Sequence, residues 1–142
     1  MVASPQAVPQ QRPAVPIECR ADGDSIIISV ILGKPSLADS QRALSAFKSL
    51  IGKMDRPVWI SDATGLEGYE KAALSEGRNW FAAFKARGGR HVILVSQWSI
   101  AMMAARAMGF GFGVRISNEP TMAQALIEAR RLRRTGENSL LP

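Results

Sequence analysis

Few residues in this chain of 142 are able to make or break bonds: there is one histidine, His91, and one cysteine, Cys19. His91 stands between Arg90 and the apolar run Val92-Ile93-Leu94-Val95, without a neighbouring nucleophile, so it lacks the partners of a triad and reads as a structural or surface histidine. Cys19 alone can form neither an internal disulfide nor a thiolate cluster, and no carboxylate pair at helical spacing joins it to His91 to hold a metal. Glu67 and Glu70, three residues apart, would make a weak acidic site, but carboxylates at the start of a helix answer to its dipole more simply. The run Gly109-Phe-Gly-Phe-Gly113 resembles a dinucleotide loop in composition only. In that fingerprint the glycines leave a strand and open a helix, and here they leave a helix and enter a strand. Trp80, Phe81 and Phe84 could line a pocket for a lipid or small molecule, although aromatics at this spacing are ordinarily core. These residues predict no catalytic group, no metal site and no cofactor.

Charge and composition narrow the class further. Eighteen Lys and Arg against twelve Asp and Glu give a formal charge of +6, with one dense group, Arg130, Arg131, Arg133 and Arg134. Cations suit the C-terminal end of a helix, and no aromatics interleave with them as on a single-strand-binding platform, so nucleic acid is not the expected partner. The 46% apolar content supports one hydrophobic core, no stretch is long enough to cross a bilayer, and Met1 to Pro16 lacks the apolar region of a signal peptide. A cytoplasmic protein is expected.

The pattern along the chain supplies the elements that would carry a site. Residues 1–14, rich in Pro and Gln, read as a disordered tail, residues 15–134 as one domain, and residues 135–142 as a second tail. Deleting residues 1–14 is expected to leave the melting temperature within about one or two degrees; a drop of many degrees would mean that the tail packs on the domain. Val15 to Ala21 is a short strand, Asp22-Gly23-Asp24 a turn, and Ser25 to Leu32 a strand apolar enough to be covered on both faces. Ser36 and Asp39 form a capping box for a helix carrying Leu37, Leu44, Phe47 and Ile51 on one face before Gly52. Val58-Trp59-Ile60 is a strand, followed by the loop-forming run Ser61 to Gly65 with Asp62 at the strand's end. A helix from about Glu70 to Arg87 stops at Gly88-Gly89, and His91 to Val95 is again a strand. A small-residue helix with Ile100, Met103, Ala104 and Ala107 ends at Gly109, Phe110 to Ile116 forms an edge strand, and a last helix starts at Ser117 to Pro120. The order predicts an α/β domain: a single-layer, mostly parallel β-sheet with four helices.

That order, together with the residues after the third strand, resembles the STAS domain, the fold of bacterial anti-sigma-factor antagonists (SpoIIAA-like) and of the cytoplasmic tails of sulfate transporters. Family members commonly read Asp, Leu, Ser, Gly, Val, then three residues, then Asp, Ser, Ser, Gly, Leu opening a helix that ends in Gly-Gly. Asp62-Ala63-Thr64-Gly65-Leu66 resembles the first block, Glu67-Gly68-Tyr69 the link, and Glu70-Lys71-Ala72-Ala73-Leu74 stands where the second block belongs. In the signalling members the serine after the acidic residue is phosphorylated by a partner kinase; here Lys71 and Ala72 occupy those places, and neither accepts a phosphate from a serine kinase. A competing alignment sets Asp62 to Leu66 on the phosphorylation block and makes Thr64 the acceptor, at the cost of about two extra helical turns before Gly88.

The resemblance implies a non-enzymatic regulatory module that binds another protein, such as a regulatory kinase or scaffold component, with or without self-association. In an open parallel sheet the loops leaving the strand C-termini gather beside helix N-termini, which have unsatisfied N–H donors. The expected partner-binding face is therefore Glu67, Gly68, Tyr69, Glu70 and Lys71, with Ser96, Gln97 and Trp98 beside it; Tyr69 is its anchor, or else folds back to cover the first turn of the following helix. The alternative is a small-ligand or lipid-binding domain with its pocket under Trp80 and Phe84.

Overall fold

A computed structural model describes residues 15–96, 109 and 111–135. The elements are β1 (Ile17–Asp22), β2 (Ile26–Gly33), α1 (Leu37–Ile51), β3 (Val58–Leu66), α2 (Lys71–Ala86), β4 (His91–Val95), β5 (Arg115–Glu119) and α3 (Met122–Thr135). They form one five-stranded sheet in the order β1-β2-β3-β4-β5, antiparallel between β1 and β2 and parallel elsewhere. Of the four helices expected, three fall among the described residues; the small-residue helix around Ile100 to Ala107 lies outside them.

Each face of the sheet has its own core. Ile27, Trp59 and Val92 point to the face covered by α1 and α2, where they meet Ala43, Leu44, Phe47, Trp80, Phe81 and Phe84. Ile26, Ile28, Val58, Ile60, Ile93 and Val95 point to the other face and meet Ala125, Ala129 and Leu132 of α3. This double covering is why β2 and β4 read as continuous apolar runs rather than alternating ones. No helix of the described residues is long and apolar enough to cross a membrane.

Capping fixes where the helices begin. At α1 the Asp39 amide donates to Ser36 Oγ at 3.1 Å and the Ser36 amide to Asp39 Oδ2 at 2.9 Å, the reciprocal pair expected from the sequence. Those hydrogen bonds from Ser36 hold the Asp39 carboxyl below its ordinary pKa. At α3 the Gln124 amide donates to Thr121 Oγ1 at 3.2 Å, so the helix starts after Pro120 instead of at Ser117.

Two further expectations are corrected. β3 does not end at Ile60 with a loop from Ser61 to Gly65; it runs on to Leu66, because β2 pairs with it as far as Gly33↔Leu66 and β4 pairs Leu94 with Ser61 and Val95 with Asp62. Pairing on both sides at Asp62, and with β2 at Gly65, overrides the weak strand preference of these residues. Gly65 fits because Leu32 lies against it: an added Cβ would stand 2.5 Å from Leu32 Cδ2. Nor is Phe110 to Ile116 a strand. Gly111 and Phe112 are helical, Gly113 at φ +70° supplies the stop assigned to Gly109, and β5 begins only at Arg115.

The basic group near the C-terminus is largely engaged inside the fold. Arg131 pairs with Glu128 at 2.6 Å, Arg130 with Asp22 at 3.0 Å, and Arg133 donates to the Arg56 carbonyl at 2.7 Å.

Candidate functional site

The link from β3 to α2 crosses the C-terminal edge of the sheet. The Glu67 amide is tied to the Gly33 carbonyl at 2.7 Å, and Glu67, Glu70, Lys71 and Ala72 are exposed. Gly68 and Tyr69 between them are half-buried. Glu70 takes the N-cap position in an extended conformation, but no side chain caps the helix, and its first turn holds no acidic residue. The first amides of α2 therefore keep their donors, and Lys71 adds a cation at the positive end of the helix, where cations are disfavoured.

Tyr69 turns inward from this link. Its ring packs against the cluster of Ala63, Leu66 and Leu94, and burial raises the pKa of its phenol above the ordinary value. Ser96, at the end of β4, is buried at 5% exposure, so it supports the edge without presenting surface. The carboxamide of Asn118 faces the Leu94 and Ser96 carbonyls at 2.9 and 3.2 Å, an arrangement that only its nitrogen satisfies. Gln97 and Trp98 lie outside the described residues. Thr64 is exposed within β3 rather than at the start of a helix, and its amide and hydroxyl both donate to Asp62 Oδ1, at 3.0 and 2.7 Å.

Behind Tyr69, between the sheet and the two helices α1 and α2, is a cavity of about 110 Å³. Trp59 from β3 and Trp80 from α2 line it with near-parallel indoles, ring centroids 6.0 Å apart and 17° between planes; Phe81 adds a third ring. Both indole N–H groups are satisfied by buried hydroxyls: Trp59 Nε1 donates to Ser29 Oγ at 2.9 Å and Trp80 Nε1 to Ser40 Oγ at 3.1 Å. Ser61 also faces the cavity; it is 7% exposed, and among the described residues its hydroxyl has no hydrogen-bond partner. No charged residue lines the space among the described residues.

Of Trp80, Phe81 and Phe84, the aromatics expected to line a pocket, Trp80 and Phe81 line this one. Phe84 is fully buried in the core, where Gly89 leaves room for its ring. Trp59, Ser29, Ser40 and Ser61 were not singled out. The signal that could have found them is a serine inside an otherwise apolar strand, as in Ile28-Ser29-Val30 and Ile60-Ser61, where a hydroxyl must face a buried layer.

The sequence matches no protein-family model and no curated protein. The fold does match solved structures. One is a protein of the DUF3478 family with a SpoIIAA-like fold from Shewanella loihica, at TM-score 0.63 and 16% identity, covering 80% of this chain and 91% of that one. Another is the anti-sigma factor antagonist SpoIIAA in its unphosphorylated form, at TM-score 0.61 and 16% identity, covering 80% and 97%. A third is an anti-sigma factor antagonist from Mycobacterium paratuberculosis, at TM-score 0.54 and 14% identity, covering 80% and 94%. The chain has the SpoIIAA-like, STAS-like fold that its sequence resembles.

Proposed function

We propose that this chain is a non-enzymatic, cytoplasmic regulatory module that docks a protein partner through the exposed link at Glu67 to Ala72. The observation that carries this reading is the N-terminus of α2, which is exposed, uncapped and headed by a cation, whereas α1 is closed by a full capping box. A partner's carboxylate or carbonyl placed there would satisfy amides that the chain leaves open. The likeness to anti-sigma factor antagonists supports the same reading. Tyr69, packed inward, backs the link, and the exposed positions beside it make the contacts.

One of those similar structures is described as unphosphorylated. In this chain the start of α2 holds Lys71 and Ala72, so regulation does not act through a serine there. Stoichiometric phosphate found on Thr64 of the native protein would move the regulated position into β3.

The test is Lys71→Glu, scored by affinity capture from native lysate with mass spectrometric identification and by thermal denaturation. An acidic residue in the first turn should hold or raise stability by about 0.3–1 kcal/mol. Capture of the partner should nevertheless fall at least about tenfold, the equivalent of about 1.4 kcal/mol of binding. Tyr69→Ala, by contrast, should lower stability, because it strips a ring from the cluster with Ala63 and Leu66. Undiminished capture by Lys71→Glu would remove α2 from the interface.

A further inference from the structure

We propose that the cavity behind Tyr69 is a binding site for a small, uncharged aromatic molecule carrying one hydroxyl, of about the size of phenol.

Size is the first argument. A dry apolar cavity of about 150 Å³ accepts benzene, and this one, at about 110 Å³ with an open mouth, is of the same order. Shape is the second. The parallel indoles of Trp59 and Trp80, with Phe81 beside them, offer flat faces to a planar ring, and aromatic pairs gain from offset or edge-to-face contact beyond the area they bury. The helix side is thin as well: Ala73 and Gly77 of α2 line the space, and a glycine inside a helix costs about 1 kcal/mol relative to alanine. At Gly77 the helix bears that cost beside an unfilled volume.

Polarity is the third argument and selects the hydroxyl. Ser29 and Ser40 accept from the indoles, which fixes both rings and leaves their N–H groups with nothing to offer a ligand. Ser61 is different. It sits opposite Ser29 in the β2–β3 register, more than nine-tenths buried, with its hydroxyl free to donate or accept into the cavity. That hydroxyl opens on the cavity, and a ligand hydroxyl placed there would exchange hydrogen bonds with it. The lack of charge among the lining residues excludes an ionised ligand, because nothing there would offset its desolvation. The cavity lies behind the docking face and shares only Tyr69 with it, so ligand titration reads the cavity while Lys71→Glu reads the face.

The test is titration of the full chain with phenol, benzene and octanoate, followed by the indole N–H resonances of Trp59 and Trp80 in proton–nitrogen correlation spectra. Phenol should shift both resonances saturably and bind more tightly than benzene. Ser61→Ala should weaken phenol about fivefold, the ordinary net worth of one hydrogen bond, and leave benzene within about twofold. Ala73→Leu, filling the space from α2, should abolish both; Ser61→Ala, which deletes one oxygen, keeps the test decisive if the leucine variant does not fold. No shift of either indole up to the solubility limit of phenol would overturn the proposal. So would equal phenol affinity with and without the Ser61 hydroxyl, or octanoate binding more tightly than phenol.

Discussion

Trp59→Ala is expected to cost about 3–5 kcal/mol of stability, the range for truncating a buried aromatic. Trp59 is 5% exposed and touches four rings, with centroid distances of 4.8 Å to Phe47, 5.2 Å to Phe81, 5.4 Å to Phe84 and 6.0 Å to Trp80. It is the point where β3, α1 and α2 meet, so the void left by alanine cannot be closed by one neighbour. The same change strands the hydroxyl of Ser29, 1% exposed, which loses the indole N–H at 2.9 Å. Domains of this size have about 5–15 kcal/mol in total, so the variant should sit near the edge of folding. Trp59→Phe restores most of the ring and removes only the hydrogen bond; it should cost a good deal less than the alanine. Urea denaturation of the three proteins measures both quantities. A loss below about 1 kcal/mol for Trp59→Ala would show that the layer collapses freely and that this ring cluster does not hold the sheet to its helices.

The sequence was most legible where local chemistry and tertiary packing agree. Ser36 and Asp39 announce α1 because both halves of the capping box lie within four residues. His91–Val95 is a strand in the sequence reading and in the fold because a five-residue apolar run covered on both faces has no competing structure. Residue type misled where a distant partner decides. Ser61 to Gly65 have loop-forming side chains, and pairing with β2, joined by β4 at Ser61 and Asp62, draws them into β3. The alternation of large residues with glycine in Phe110 to Ile116 suggested an edge strand, whereas a left-handed glycine at 113 closes a helical turn and the strand starts two residues later.

The candidate sites divide on the same lines. The exposed link Glu67 to Lys71 was legible, since a Gly-bearing segment between a strand and a helix in an open α/β sheet falls at the strand C-termini. The sequence left open whether Tyr69 reaches outward or folds back, and it hid the burial of Ser96, because these depend on Leu94 and Asn118, which the chain supplies from β4 and β5. The cavity was half legible. Trp80 stands out on its helix, but its opposite wall is assembled by register, which sets Trp59 beside Ile27 and Val92 and Ser61 beside Ser29 and Leu94. No spacing within one segment encodes that set.

Cys19 is expected to react with iodoacetamide on the order of a thousandfold more slowly in the folded protein than in urea at pH 8. Burial beside α1 pushes its pKa from 9.0 up to about 12, and the neighbouring Glu18 carboxylate adds to the rise. The thiol lies on β1 against the aromatic core, and its Sγ donates weakly to the Ala43 carbonyl at 3.9 Å. At pH 8 a thiol of pKa about 12 is roughly one part in ten thousand thiolate, whereas an unfolded cysteine with its ordinary pKa of 9.0 is more than about a twentieth ionised. The sign of the linked stability follows from the direction of the shift. The fold favours the neutral thiol, so the contribution is fully present below pH 9 and is lost as pH rises toward about 12, where both states are ionised. Cys19→Ser, which cannot ionise in this range, should remove that part of the alkaline destabilisation while costing some stability at neutral pH through a buried hydroxyl. Alkylation of the native protein at a rate within tenfold of the unfolded chain would show that β1 opens from α1 without global unfolding, and that the thiol owes its protection to a labile edge.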